Sequence, residues 1–292
     1  MSAIPPYTIT LDEVVFQLQE HHDFKWIREL GRVIRVFDRQ DSGNISFAVR
    51  KDGETLFVKY AGARGIAYTG EPHTAIRNLK SAVPLYDELS HPALVQMVDH
   101  YETGAGYVAV FSWFEGESLH PHDTFPPPAK YTHPESPFFQ FRQLSVQDRL
   151  ASLDTIFSFH EHVEQKGYVA VDFYDGSLMY DFARKEMKIC DIDLYRKKPF
   201  INTMGRLWGS SRFMSPEEFT SGAEIDGRSN VFVMGATAFA LLGGERDRSL
   251  SKWEAGRELY EVAARAVRPE RSERYGSISE FKAAWDEAQK RS

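Results

Sequence analysis

Two runs, Ile45–Val49 and Thr55–Tyr60, alternate apolar and polar positions and are rich in β-branched and aromatic residues, the pattern of paired strands. Between them Lys51-Asp52-Gly53-Glu54 predicts a tight hairpin, because Asp-Gly readily supplies the positive φ such turns need. The stretch from Trp26, WIRELGRVIRVFDR, has the same strand character. Farther on, the short apolar runs Tyr168–Val171, Leu178–Tyr180 and Met187–Cys190 predict three more strands, with a turn at Ala183–Glu186. Helical spacing appears elsewhere. Pro72–Leu89 sets Ile76, Leu79, Val83 and Tyr86 on one side, with Pro84 as a point of kinking. Val146–Gln165 carries Leu150, Leu153, Ile156, Phe157, Phe159 and Val163 and runs to Gly167, a good C-cap. Near the start, Thr10 as a cap and Val14, Val15 and Leu18 on one face predict an accessory helix over Thr10–His21.

Composition narrows this picture. A chain of 292 residues with 42% hydrophobic residues can pack one large domain or two lobes, and a net charge of −7 argues against nucleic acid as the main partner. Cys190 has no second cysteine to pair with, and its apolar strand suggests a buried, inert thiol in a reducing compartment. The opening MSAIPPYTITLDEVVFQLQEHH lacks a basic start followed by an apolar run, so no secretory signal is expected. Nor does any stretch approach the roughly 18–20 apolar residues of a membrane span. The expected setting is cytoplasmic, without a membrane partner.

Candidate chemistry concentrates in GYVAVDFYDGSLMYDFARKEMKICDIDLY, where a strand hairpin brings Asp172 towards Asp191 and Asp193. One carboxylate to orient a hydroxyl and another to hold magnesium against phosphates is the minimum apparatus of phosphoryl transfer. His120, His122 and His133 lack metal-ligand spacing and do not suggest zinc. His160 and His162 read as helix packing and surface residues. The proline-rich 120–145 stretch reads first as a connecting loop and second as a substrate-docking flap.

The segment resembles the catalytic loop and metal-binding loop of the protein-kinase-like superfamily, HRDLxxxN followed by DFG. Within that superfamily the likeness is to bacterial, eukaryotic-like serine/threonine kinases with a degenerate catalytic loop. The resemblance places Asp172 on the catalytic aspartate, Ser177 on the metal-binding asparagine and Asp191 on the DFG aspartate. Asp193 would be an additional metal ligand. Lys59 in LFVKY resembles the VAIK lysine that holds nucleotide phosphates. Ser42, Gly43 and Asn44 in DSGNIS stand where a glycine-rich loop would cover them. GSSRFMSPEE resembles the end of an activation segment, IDGRSNVF the helix start that follows, and Arg274 falls where an arginine pairs with Glu217 in a structural role. The resemblance therefore implies an α+β, two-lobed kinase-like fold, covering roughly residues 25–288. A small antiparallel β-sheet lobe would occupy 25–113 and a mainly helical lobe 114–292, after an accessory segment at 1–24. ATP with Mg²⁺, or Mn²⁺, would be the cofactor, and a protein the substrate.

Departures from the pattern keep other outcomes open. Ala170-Val171 replaces His-Arg, Tyr174 the usual lysine, and Asn230 a usual aspartate. Ala82 falls where the helix glutamate that partners the strand lysine belongs, with Glu71 and Glu88 nearby but differently spaced. A pseudokinase that binds nucleotide or partners, or a small-molecule kinase of aminoglycoside or choline type, fits the same residues. With Val171 in place of arginine, activity is not expected to need a phosphate at Thr203, Ser210 or Ser211. The loop cations Arg196, Lys197, Lys198, Arg206 and Arg212 read as solvated or substrate-facing.

Overall fold

The computed structural model describes residues 6–291. The described residues fold as two compact units, one of residues 6–90 with Val95–Glu115, the other of His91–Leu94 with residues 116–291. The class is α+β.

The first unit opens with a hairpin where a helix was expected. Strands β1 (Tyr7–Leu11) and β2 (Val14–Leu18) pair antiparallel from Tyr7↔Leu18 to Leu11↔Val14. Thr8, Ile9, Thr10, Val14 and Val15 are β-branched and stiff at χ1, which favours strand over helix. Asp12, at φ 53°, makes the turn and anchors it by accepting the Val33 N–H at 2.6 Å. Phe16 and Leu18, two residues apart, are buried, whereas Val15 next to Phe16 is 63% exposed. A period of two, not 3.6, fits this burial.

Strands β3 (Arg32–Phe37), β4 (Asn44–Lys51) and β5 (Glu54–Ala61) lead into helix α1 (Pro72–Glu88), then β6 (Met97–Thr103) and β7 (Gly106–Ser112). The five strands from β3 to β7 form one antiparallel sheet in the order β3-β4-β5-β7-β6. The β4–β5 turn has Asp52 at φ 52° and Gly53 at φ 87°, the paired positive values of a type I′ turn. On one face Ile45, Phe47 and Val49 join Val58, Tyr60, Val108 and Val110, and Phe16, Leu18 and Phe24 cover them. The opposite face carries Ser46, Lys59 and Ala109 in direct register, and Phe111 there meets Tyr86 of α1 at 4.9 Å between ring centroids.

The second unit is mainly helical. After the short strand β8 (Glu117–Ser118) come α2 (Ala129–Thr132), α3 (Pro137–Gln143) and α4 (Val146–Gln165). The 120–145 stretch is thus more than a connecting loop. Ser136 caps α3 by accepting from Phe139 N–H, and Lys130, Phe138 and Phe141 are buried. Strands β9 (Tyr168–Val169), β10 (Leu178–Asp181) and β11 (Glu186–Ile189) follow, with β10 between β11 and β8. Asp181 Oδ1 closes the β10–β11 turn by accepting from Ala183 and Arg184 N–H. Then β12 (Arg196–Lys197) pairs with β9, and β13 (Phe200–Ile201) with β14 (Glu224–Ile225).

Helix α5 (Gly227–Leu242) is capped by Asp226, whose side chain accepts from Arg228 N–H, and is buried on almost every side. Helices α6 (Arg257–Ala266) and α7 (Ile278–Gln289) complete the unit. Edge-on contacts of Phe157 with Phe281 and Trp285 lock α4 to α7. No helix among the described residues is long and apolar enough to cross a membrane.

Candidate functional site

In the first unit, Lys59 is 8% exposed on the central strand β5. A lysine on a strand usually lies on a solvated face, so its burial is notable. Ser46 sits opposite it in register, and its buried hydroxyl has no hydrogen-bond partner among the described residues. The Asn44 side-chain carbonyl is likewise buried and unpartnered. Gly43 has φ +84°, and a Cβ there would meet Ala75 and the Tyr68 ring at 2.7 Å, so only glycine fits. The Ser42 hydroxyl accepts the Asn44 N–H at 3.4 Å. A buried ammonium beside an orphaned hydroxyl is a donor set suited to phosphate oxygens. Ala82 is buried on α1, and Glu71, the residue before α1, pairs with Arg64 at 2.8 Å.

In the second unit, Asp172 follows β9 with φ 63°, a left-handed backbone uncommon for a residue other than glycine. Phe173 turns inward and packs on His160 at 4.3 Å between centroids. His160 is fully buried; its Nδ1 faces Ile156 C=O at 2.8 Å and its Nε2 faces the Tyr195 hydroxyl at 2.9 Å. Burial pulls His160 down to about 4, so the ring is neutral and structural. Ser177 is buried in a short turn; its N–H donates to Tyr174 C=O and its C=O accepts from Cys190 N–H, both at 2.9 Å. That bond places Asp191 beside Ser177. Cys190 is half-buried, not fully enclosed, and its Sγ lies 3.7 Å from Gly176 C=O.

Burial first, then the charges of Asp172 and Asp191, push the hydroxyls of Tyr174 and Tyr195 well up. Asp191 is exposed, and its Oδ1 accepts the Asp193 N–H at 3.3 Å. Asp191 and Asp193 carry carboxylate oxygens and Ser177 a hydroxyl, the donor types that magnesium accepts. Among the described residues, no three His, Cys, Asp or Glu side chains converge on one point. Tyr174 lies across Gly176, where a Cβ would meet its ring at 2.4 Å, and its hydroxyl is 3.3 Å from His122 Nε2.

Arg274 and Glu217 meet in a buried fork, Nη1 to Oε1 at 2.7 Å and Nη2 to Oε2 at 3.0 Å. The remaining arginine donors reach Arg268, Pro269 and Arg228 carbonyls, and Ser229 Oγ donates to Glu217 Oε1. Burial pushes the Glu217 carboxyl up, but the Arg274 hydrogen bonds and charge outweigh it and hold it below its ordinary value. Asn230, buried on α5, accepts from Ala170 N–H at 2.8 Å and donates to Tyr168 C=O at 3.0 Å, tying β9 to that helix.

Neighbouring Glu218 behaves oppositely. Burial raises it from 4.5 to about 7, although its Oε2 accepts from both Ser215 N–H and Ser215 Oγ. A folded-state pKa above the unfolded one means stability is greatest below about 4.5 and falls as pH rises through about 7. Glu218→Gln is expected to flatten that limb, read as urea-denaturation midpoints from pH about 5 to about 8. Equal pH slopes in both proteins would show that Glu218 is ionised throughout.

Two of the loop cations expected to be solvated, Arg212 and Lys198, are not. Arg212 is largely buried and donates to both oxygens of Asp175 at 2.8 Å, while Lys198 pairs with Glu164 at 3.1 Å. Lys130, with no exposed side-chain surface, also binds Asp175. Sequence reasoning passed over Lys130, Asp175 and Glu245. The available signal was a lysine set among prolines and aromatics in YTHPESPFFQF and its approach.

No protein-family model matches the chain. Over 172 residues, 56% of the chain, it is 24% identical to the serine/threonine-protein kinase pkn2 of Myxococcus xanthus. The match spans 19% of that protein's length. This weak likeness suggests a kinase-like phosphotransferase.

Proposed function

We propose that the chain is an ATP-dependent phosphotransferase, a two-lobed serine/threonine protein kinase with an atypical catalytic loop. The observation that carries this reading is the Ser177 backbone, whose N–H donates to Tyr174 C=O in the Asp172 loop and whose C=O accepts from Cys190 N–H, the residue before Asp191. Asp172 would accept the hydroxyl proton of the acceptor as its oxygen bonds to the terminal phosphorus and the bond from that phosphorus to the bridging oxygen breaks, releasing ADP. Asp191, with Asp193 and Ser177, would hold magnesium, or manganese, which when bound supplies charge neutralisation at the phosphates. Lys59 and Ser46 would hold phosphate oxygens by charge and hydrogen bonding, and the backbone at Ser42, Gly43 and Asn44 would lie over them. A protein acceptor in the cytoplasm is the substrate class this reading favours.

A second reading, nucleotide or partner binding without transfer, is favoured by the burial of Ser177, which is 2% exposed. The test is transfer of the labelled terminal phosphate of ATP, with magnesium, to the chain itself, a generic protein, and an aminoglycoside or choline. Label on protein supports the proposal. Label only on the small molecule moves the substrate class, and nucleotide binding without label establishes the second reading.

A further inference from the structure

Two separate ties join the Asp172 loop to the segment that contains Arg212. The first is apolar. Val171, directly before Asp172, packs with Leu207 and Met214 in a buried cluster completed by Val169 and Ile225. The backbones are close as well: a Cβ on Gly209 would stand 3.5 Å from Asp172 Cα.

The second tie is ionic. Asp175 has no exposed side-chain surface and takes the Arg212 fork on both oxygens, with Lys130 Nζ on Oδ2. Arg212 Nη1 also reaches Glu245 Oε1, and the Tyr131 hydroxyl donates to Glu245 at 3.1 Å. Burial pushes the Asp175 carboxyl up, but Arg212 and Lys130 outweigh it and hold it below its ordinary value, so the acid is ionised. Two cations and two carboxylates leave the knot neutral. Withdrawing Arg212 would strand buried negative charge, which makes this a one-position contact. The nearby serine hydroxyls are already engaged: Ser210 Oγ accepts from Arg212 Nε at 3.1 Å and Ser211 Oγ from Arg246.

The left-handed backbone at Asp172, φ 63°, persists only where its surroundings over-determine it. We infer that Lys130 and Arg212 are positioning residues. Acting through Asp175, they hold the Asp172 loop and residues 209–214 together in the unmodified protein, with no phosphate group required. The inference rests on the phosphotransfer reading for its catalytic consequence, but not for the tether itself.

The test uses the double variant Lys130→Met/Asp175→Asn, which removes one charge of each sign and leaves Arg212 balanced by Glu245. Such neutral replacements of buried pairs are often well tolerated, so the protein should fold. Hydrogen exchange is expected to quicken at least tenfold at the Ser177, Phe213 and Met214 amides, which donate to Tyr174 and Ser210 carbonyls. Amides within α5 and α7 should keep their rates, which a global loss of stability would not allow. In transfer assays kcat should fall tenfold or more while KM for ATP stays within twofold. Arg212→Lys, which keeps the charge but loses the fork, should lie between Arg212→Gln and the unmutated protein. Phosphatase treatment of the unmutated chain should leave both readouts unchanged. Unaltered exchange at those three amides in the double variant would overturn the tether, whatever the assay gives. Quickened exchange with unchanged kcat would overturn the positioning role. No transfer by the unmutated chain would instead defeat the phosphotransfer reading, and with it the catalytic role assigned to the tether, while the exchange rates still decide the tether.

Discussion

Phosphoryl transfer is expected to fall about a thousandfold in Lys59→Met and again in Asp191→Asn, each about 4 kcal/mol of barrier. Both substitutions keep the side chain's size, so the loss should come from charge rather than packing. Lys59 is buried opposite the orphaned Ser46 hydroxyl, and methionine leaves no cation there for phosphate oxygens. Asp191 is the exposed carboxylate beside Ser177, and an amide oxygen is a much weaker partner for a divalent cation. The two variants should fail differently when nucleotide binding is measured separately. Lys59→Met weakens binding with or without magnesium, whereas Asp191→Asn weakens only the magnesium-dependent part. Transfer within threefold of the unmutated chain in both would remove these residues from the mechanism.

Arg274→Ala should cost roughly 3–5 kcal/mol of unfolding free energy, the penalty of leaving a buried carboxylate without its cation. Arg274 and Glu217 have 0% and 5% side-chain exposure, so solvent screens little of this interaction. Because Arg274 holds Glu217 low, their pairing stabilises the fold above the ordinary carboxylate pKa and is lost as pH falls through the depressed one. The Arg274→Ala protein should therefore approach the unmutated one in stability at acid pH. Glu217→Gln/Arg274→Met should recover much of the loss at neutral pH, since neither charge is then stranded. Chemical denaturation at two pH values measures both effects. A loss below about 1 kcal/mol would mean water replaces the arginine, as at exposed pairs.

What could be read along the chain were the features that neighbours in sequence decide. Asp52-Gly53 makes its turn with two positive φ values because those residue types tolerate them locally. Helix α4 carries its apolar residues at helical spacing, and the β10–β11 turn is closed by Asp181 on the amides two and three residues later. The first hairpin was misread because Val14, Val15 and Leu18 satisfy a helical face as well as a strand. Only the burial of Phe16 and Leu18 against Phe47 and Phe24 separates the two.

The charged residues divide in the same way. Asp172, Asp191 and Lys59 stood out because the segments that hold them resemble kinase motifs, which are carried by neighbours in sequence. Lys130, Asp175, Arg212 and Glu245 did not, because their partners lie 33 to 45 residues away and a charge in sequence reads as solvated. The sequence by itself determined the β4–β5 and β10–β11 turns and the helices α1 and α4, whose turn residues and apolar spacing lie close along the chain. Tertiary structure alone decided which charges are buried together. Desolvation and pairing depend on distances that no local pattern encodes.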